Sequence, residues 1–324
     1  MTSVLCLVET DDDGIVEASR RALTVARRLA DSDGSTLGAA LVSSRPEAVV
    51  GELGAYGVAD AHAITLNGVT AFAPMAWARA LLELAASTEA SAVVAGGTDR
   101  GNEVLAYAGA FSAEPMVANC VDAARTSTET VAVTRQRWAG SLIEESVLTA
   151  SRALFTVAFD GVTAEPAPGS VATNVLDVAY DVDLVDRAVE VAEWTRRTGG
   201  VALAEARVVV GGGRGVGSAE GFAPIDELAE LLGAAVGVSR VVTSLGWRPH
   251  AQQVGQTGTR ITPELYLACG ISGATQHLAG CQSAKYVVAI NTDADAPIVA
   301  RADYAVIGDL NEIIPALVEA IRSR

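Results

Sequence analysis

The sequence predicts an α/β protein in two domains: an N-terminal α/β domain with a mostly parallel sheet over residues 1–200, and a C-terminal doubly wound domain over residues 201–324. Three observations carry this. The 324 residues leave room for two cores at roughly 100–200 residues per domain. Short β-rich runs alternate with stretches of helical period, the pattern of a parallel sheet with helices on its faces. The alternation lapses in mid-chain and restarts after Gly199-Gly200.

In the N-terminal half, residues 4–8 read as a buried strand, followed by Ile15, Ala18, Ala22, Ala26 and Ala30 at helical spacing. Residues 37–42, 58–64 and 92–95 read as further strands. Residues 46–55 and 74–86 read as helices, each with proline at its first turn. Beyond Pro115 come β-rich pieces at 130–138, 142–148 and 153–159, an expected antiparallel extension of the sheet. Residues 161–170, rich in glycine and proline, predict a linker or exposed loop, and residues 186–197 a helix ended by Thr198-Gly199-Gly200.

Composition narrows the function. With 23 basic and 39 acidic residues the net charge is −16, which repels phosphate backbones and excludes nucleic acid as a partner. Lys285 is the single lysine among the basic residues, and this arginine-rich, acidic balance fits a halophilic source, where dense surface carboxylates are screened by salt. No apolar run approaches the roughly 20 residues of a membrane span, and the short apolar run after Met1 ends at Glu9 without a signal-peptide pattern. A cytoplasmic protein without direct membrane insertion is expected. Cys6, Cys120, Cys269 and Cys281 are scattered, with no C-x-x-C pair and only His62, His250 and His277 to join them. They read as small buried hydrophobes, and no metal site is expected.

The second half restarts with a strand at 206–210, a glycine-dense turn at 211–215 and a helix through 224–235. Apolar runs at 265–268, 286–290 and 304–307 each end in glycine or asparagine. Ligands of open α/β sheets sit beyond the carboxyl ends of strands, so the residues after these runs are the candidates. Arg214 suits a phosphate or carboxylate, its bland alternative being a solvated arginine. Val254, Gly255, Gln256 and Thr257 make a polar loop offering backbone N–H groups and a hydroxyl. Ser272, Gly273, Ala274, Thr275, Gln276 and His277 follow a strand and open a helix, where amides face an anion. Asn291 ends one strand, and Asp309 precedes a helix that it can equally well cap. All of these should meet on one sheet edge.

The glycines do not fit G-x-G-x-x-G, since Val216 stands where the third belongs, and no P-loop exists anywhere in the chain. Ser272, His277 and Asp309 lack a nucleophile elbow, so serine hydrolysis is excluded. No catalytic acid, base or nucleophile set emerges.

The stretch Leu265-Tyr266-Leu267-Ala268-Cys269-Gly270-Ile271-Ser272-Gly273-Ala274-Thr275-Gln276-His277-Leu278-Ala279-Gly280, with residues 254–258, 286–291 and Ala296-Pro297-Ile298, resembles the alpha subunit of electron transfer flavoproteins. The resemblance is close over about residues 204–321 and general before that. It implies a flavodoxin-like C-terminal domain binding one FAD, an N-terminal domain serving the subunit interface, and a beta subunit as obligate heterodimer partner. Arg214, Ser239 and the turn from Ser272 to Thr275 would serve phosphates or nearby groups of FAD, and Arg240 would lie beside the isoalloxazine. Thr257 would reach flavin N5, His277 the O2 edge, and Asn291, Asp309 and Leu310 the adenosine end. Cys281 and Thr275 stand where many relatives carry methionine and isoleucine, and neither change removes an identifiable polar contact.

The implied role is an electron carrier rather than a substrate-converting enzyme. It would take electrons from transient donors, flavin dehydrogenases such as those of acyl-CoA in fatty acid oxidation, and pass them to a membrane quinone oxidoreductase. Two alternatives remain beside it: a bifurcating or nitrogen-fixation-type homologue with a second FAD in the beta subunit, and a non-redox nucleotide-binding assembly module. A nicotinamide-linked dehydrogenase ranks last, because the dinucleotide fingerprint is missing.

Overall fold

In the computed structural model, residues 3–11, 14–42, 46–138, 140, 142–191, 203–204 and 206–323 are described. The chain divides into two units, Met1–Trp194 and Thr195–Arg324.

The first unit is built on β1 (Ser3–Val8), a two-residue hairpin of β2 (Thr10–Asp11) and β3 (Gly14–Ile15), α1 (Glu17–Asp33), β4 (Thr36–Leu41), α2 (Val50–Ala55), β5 (Asp60–Asn67), α3 (Pro74–Ser87), β6 (Ala90–Gly96) and α4 (Asp99–Ser112). Then come β7 (Met116–Ser127), β8 (Thr130–Arg137), β9 (Leu142–Thr149), β10 (Ala153–Val157) and β11 (Asn174–Asp181). The nine-stranded sheet runs β11-β5-β4-β1-β6-β10-β7-β8-β9. Alternate residues of β1 feed opposite faces: Val4, Cys6 and Val8 pack with Leu23, Ala26 and Leu29 of α1, while Leu5 and Leu7 pack with Leu81 and Leu84 of α3 and Val104 of α4. A strand covered on both faces loses the apolar/polar alternation, which is why residues 4–8 read as one continuous apolar run.

The expected antiparallel extension holds for β8 and β9. It fails for β10, which inserts parallel between β6 and β7, because Leu154 and Phe155 are apolar on both faces and need two covered sides. The loop expected at 161–170 is irregular and exposed for much of its length. It is tied to α1 by the Glu165 backbone, which exchanges hydrogen bonds with the Thr24 hydroxyl and accepts from Arg27, and it delivers the chain to edge strand β11. Of the expected helix 186–197, residues 186–191 form turns and irregular backbone, and the rest lies outside the described residues.

The second unit contains β12 (Val208–Gly212), α5 (Ala223–Leu231), β13 (Ala235–Val238), α6 (Arg240–Ser244), β14 (Leu265–Cys269), α7 (Thr275–Cys281), β15 (Tyr286–Asn291), α8 (Pro297–Arg301), β16 (Tyr304–Ile307) and α9 (Leu310–Arg322). The helix expected through residue 235 ends at Leu231, where the Gly233 turn (φ 59°) lets the chain reverse into β13. All five strands are parallel, in the order β13-β12-β14-β15-β16. Val210, Leu267 and Cys269 face Ile225 and Leu228 of α5 and Ile314 and Val318 of α9. Val209, Tyr266, Ala268 and Val287 face the other way, towards Cys281 of α7 and Ile298 of α8.

All four cysteines are buried and free, and burial pushes the thiols of Cys120, Cys269 and Cys281 up to about 12. They are packing residues without thiolate character at neutral pH. Among the described residues no helix is long and apolar enough to cross a membrane.

Candidate functional site

After β12 the chain moves first to one side, forming β13, and then to the other, forming β14. This reversal opens a crevice beyond the carboxyl ends of β12 and β14, the position where doubly wound sheets take their ligands. The two connections meet there backbone to backbone. Gly213 N–H donates to the Cys269 carbonyl at 2.9 Å and Gly215 N–H to the Gly270 carbonyl at 3.0 Å. A side chain on Gly213 would put its Cβ 2.1 Å from the Gly270 oxygen, so only glycine permits the approach.

A second seam holds the loop at residues 253–258, between α6 and β14. Val254 N–H donates to the Val238 carbonyl at 2.9 Å, and Gln256 N–H to the Gln276 carbonyl of α7 at 2.8 Å. Inside the loop the buried Gln253 accepts from the Thr243 hydroxyl at 2.6 Å and donates through Nε2 to Thr257 Oγ1 at 3.2 Å. Thr257 therefore keeps its own hydroxyl proton to donate elsewhere. On the far side Asn291 Nδ2 donates to the Ile271 carbonyl at 2.8 Å, and Ile298 N–H to the Ser272 carbonyl at 3.2 Å.

These elements enclose a cavity of about 600 Å³, within the usual range for small-molecule and cofactor sites. Arg214, Ser239, Arg240, Val254, Gly255, Gln256, Thr257, Ser272, Gly273, Ala274, Gln276, His277 and Asn291 all line it. Thr275, Asp309 and Leu310 do not. Thr275 is an exposed first residue of α7. Asp309 caps α9, accepting from Asn311 N–H at 2.9 Å. Leu310 is buried, with Cδ2 against Gly270. The cavity also takes Gly215, Val241, Ser244, Gln253, Gly270, Ile271, Asp293 and Ala296, which sequence reasoning does not assign. For Gln253 a signal exists, a polar residue flanking the apolar Val254 just before the glycine loop; for Asp293 there is none.

The charged residues lining the cavity sum to the opposite sign from the chain as a whole. Two arginines against the single carboxylate of Asp293 line it, in a chain of net charge −16. Arg214 and Arg240 are exposed and, like Arg260 and Arg301, have no ion-pair partner among the described residues, whereas Arg207, Arg248 and Arg322 of the same unit are paired with carboxylates. The first turn of α7 has no side-chain cap, which leaves its amides to an incoming acceptor. His277 is 6% exposed, its Nδ1 buried without a hydrogen-bond partner, and burial holds its pKa down to about 4. A buried imidazole nitrogen with no protein partner, unpaired arginines and glycine-backed turns together fit a large ligand with an anionic section and a polar ring.

Fold and site thus define a flavodoxin-like domain that binds a nucleotide-type cofactor, joined to a second α/β unit. Comparison with known proteins agrees: residues 4–183 match the electron transfer flavoprotein domain, and residues 202–282 the electron transfer flavoprotein FAD-binding domain. The chain is similar to the electron transfer flavoprotein subunit alpha of Bacillus subtilis (strain 168), 34% identical over 98% of this chain and 97% of that one. It is 35% identical to the Mycobacterium tuberculosis (strain H37Rv) subunit alpha over 100% of this chain and 99% of that one, and 45% identical to the Paracoccus denitrificans subunit alpha over 56% and 58%. The chain belongs to the electron transfer flavoprotein alpha-subunit family, and FAD is its cofactor.

Proposed function

We propose that this chain pairs with an electron transfer flavoprotein beta subunit in the cytoplasm and holds one FAD in the crevice between β12 and β14. The heterodimer collects electrons from flavin dehydrogenases, acyl-CoA dehydrogenases among them, and delivers them to a membrane quinone oxidoreductase. The observation that carries this reading is the placement of two arginines, Arg214 and Arg240, without ion-pair partners among the described residues, on a cavity at the switch point of an otherwise acidic chain. FAD supplies the redox chemistry when bound.

The protein's own groups bind and tune. Arg214, Ser239 and the turn from Ser272 to Ala274 serve the phosphates, where a guanidinium gives charge-assisted hydrogen bonds, while Thr275, outside the cavity lining, opens the helix behind that turn. Arg240, on the cavity lining, would serve the isoalloxazine, where a fixed cation favours the negative charge that reduction adds. The Thr257 hydroxyl, its oxygen already engaged by Gln253, would donate to flavin N5, and His277, kept neutral by burial, would serve the O2 edge as a donor. Asn291 holds the adenosine end, with Asp309 and Leu310 supporting it from behind as the α9 cap and the packing under Gly270. The acidic surface is read as an adaptation to a salt-rich cytosol; equal stability at low and molar KCl would remove that part.

The test is the visible spectrum and the flavin count of the chain co-expressed with its beta subunit, during stepwise reduction by dithionite. One FAD per heterodimer supports the single-flavin carrier. Two would move the reading to a bifurcating type, and a colourless protein holding only a nucleotide would move it to a non-redox module.

A further inference from the structure

His277 Nε2 lies 2.7 Å from the hydroxyl oxygen of Tyr266, with the two rings 29° apart and their centroids separated by 6.1 Å. Tyr266 is fully buried on β14, and this is the one hydrogen bond of its hydroxyl among the described residues. The direction of that bond follows from counting donors and acceptors. If the hydroxyl donates to Nε2, the neutral ring carries its proton on Nδ1, and only that N–H is left for a ligand. If instead Nε2–H donates to the hydroxyl, a buried phenolic O–H and a bare Nδ1 are both stranded, and each unmet buried group is costly. The first arrangement wins.

The phenol is held in place by an absence. Gly211 on β12 faces the Tyr266 ring, and a Cβ there would fall 2.5 Å from the phenolic oxygen. Burial keeps the imidazole neutral, with its pKa held to about 4, so the ring carries a single proton whose position matters. The Val254 backbone beside the ring also favours a ring proton and so works in the same direction as the Tyr266 hydroxyl, although it does not reach Nδ1 with ordinary hydrogen-bond geometry.

We propose that Tyr266 is a positioning residue of the FAD site: its hydroxyl fixes His277 in the Nδ1–H tautomer, so that the cavity offers a donor, not an acceptor, to a carbonyl of the flavin ring, with Gly211 leaving room for the phenol. This rests on His277 being a flavin contact. It assigns a function to a residue outside the cavity lining.

The experiment is two-bond ¹H–¹⁵N NMR of the full heterodimer with ¹⁵N-labelled histidine, FAD-free and FAD-loaded. Only three histidines are present in this chain, and His277→Gln identifies the relevant signals. The unmutated protein should show a protonated Nδ1 and a bare Nε2, with FAD moving Nδ1 far more than Nε2. In Tyr266→Phe, which keeps the ring volume, the FAD-free protein should show mixed tautomers, and the FAD dissociation constant should rise about tenfold. An Nε2–H or doubly protonated His277 in the unmutated protein overturns the proposal without any variant. So does a Tyr266→Phe protein whose histidine pattern is unchanged. A His277 in the Nδ1–H form that does not respond to FAD removes the flavin contact itself, and the positioning role with it, while leaving the tautomer intact.

Discussion

Gln256 donates its backbone N–H to the Gln276 carbonyl at 2.8 Å, and Gly255 and Gly280 meet beside that bond, so the loop between α6 and β14 is docked backbone to backbone on α7. A Cβ on Gly280 would lie 2.4 Å from the Gly255 backbone. Gly280→Ala should therefore push the loop off the helix, destabilising the protein by about 1–3 kcal/mol as overpacking does. Thermal melts and flavin-fluorescence titration check this, and a variant with unchanged melting and FAD affinity would mean the seam is looser than described.

Arg214 and Arg240 should separate by function. Arg214→Gln is expected to weaken FAD binding by roughly 10- to 100-fold, the equivalent of one charge-assisted hydrogen bond, with the loss shrinking at high KCl. Arg240→Gln should instead lower the flavin midpoint potential, since a cation that favours added negative charge has gone. Potentiometric titration of the two variants decides. Equal potentials in Arg240→Gln and the unmutated protein would place Arg240 away from the ring.

The buried His277 makes stability pH-dependent in a defined direction. Its pKa is lowered from 6.5 to about 4, so the unfolded ring takes up a proton below about 6.5 while the folded ring refuses it until about 4. The folded state has its full contribution above pH 6.5 and loses about 3 kcal/mol of it as pH falls to 4. His62 is shifted in the same direction by burial. The effect of His277 is therefore the difference in pH slope between the unmutated protein and His277→Gln in urea unfolding; parallel slopes would show a ring that protonates freely.

Leu310→Ala tests packing against ligand contact. The side chain is buried in the core shared by α5, α9 and β14, outside the cavity lining. Truncation should cost about 2–4 kcal/mol of stability. FAD affinity, measured at a temperature where the variant is folded, should change less than twofold, and a larger change would make Leu310 a direct contact.

Elements buried on both faces were the most legible in the sequence. Residues 4–8, 37–42 and 265–268 are short apolar runs between turn signals, and they are β1, β4 and β14. Edge β11 was not readable, because most of its residues are exposed and no apolar face marks it. Strand β13 has four residues and follows α5 after a short turn, so its apolar character blends into the helix. The parallel placement of β10 depends on which strand it neighbours in space, a fact absent from local pattern.

At the site, the glycines and small residues after strands gather around one cavity at the sheet edge, a placement legible in the sequence because the carboxyl-end rule needs only strand ends. Burial was harder to see. His277 sits among polar and small neighbours in sequence, yet α7 turns it inward onto Tyr266, eleven residues earlier in the chain. Asp309 carries the same signature whether it caps a helix or meets a ligand, and only the hydrogen bond to Asn311 separates the two.

The contacts of Gly213 and Gly215 with Gly270 join two loops, and that of Gly280 with Gly255 joins a third loop to α7, without a side chain between them. Tolerance to substitution should accordingly fall into two sharp classes. At the seams, the smallest residue is the sole acceptable one, whatever the chemistry of its replacement. Around them, residues that face the cavity can be exchanged without moving the frame, so flavin potential can drift over evolutionary time while the shape of the crevice stays fixed.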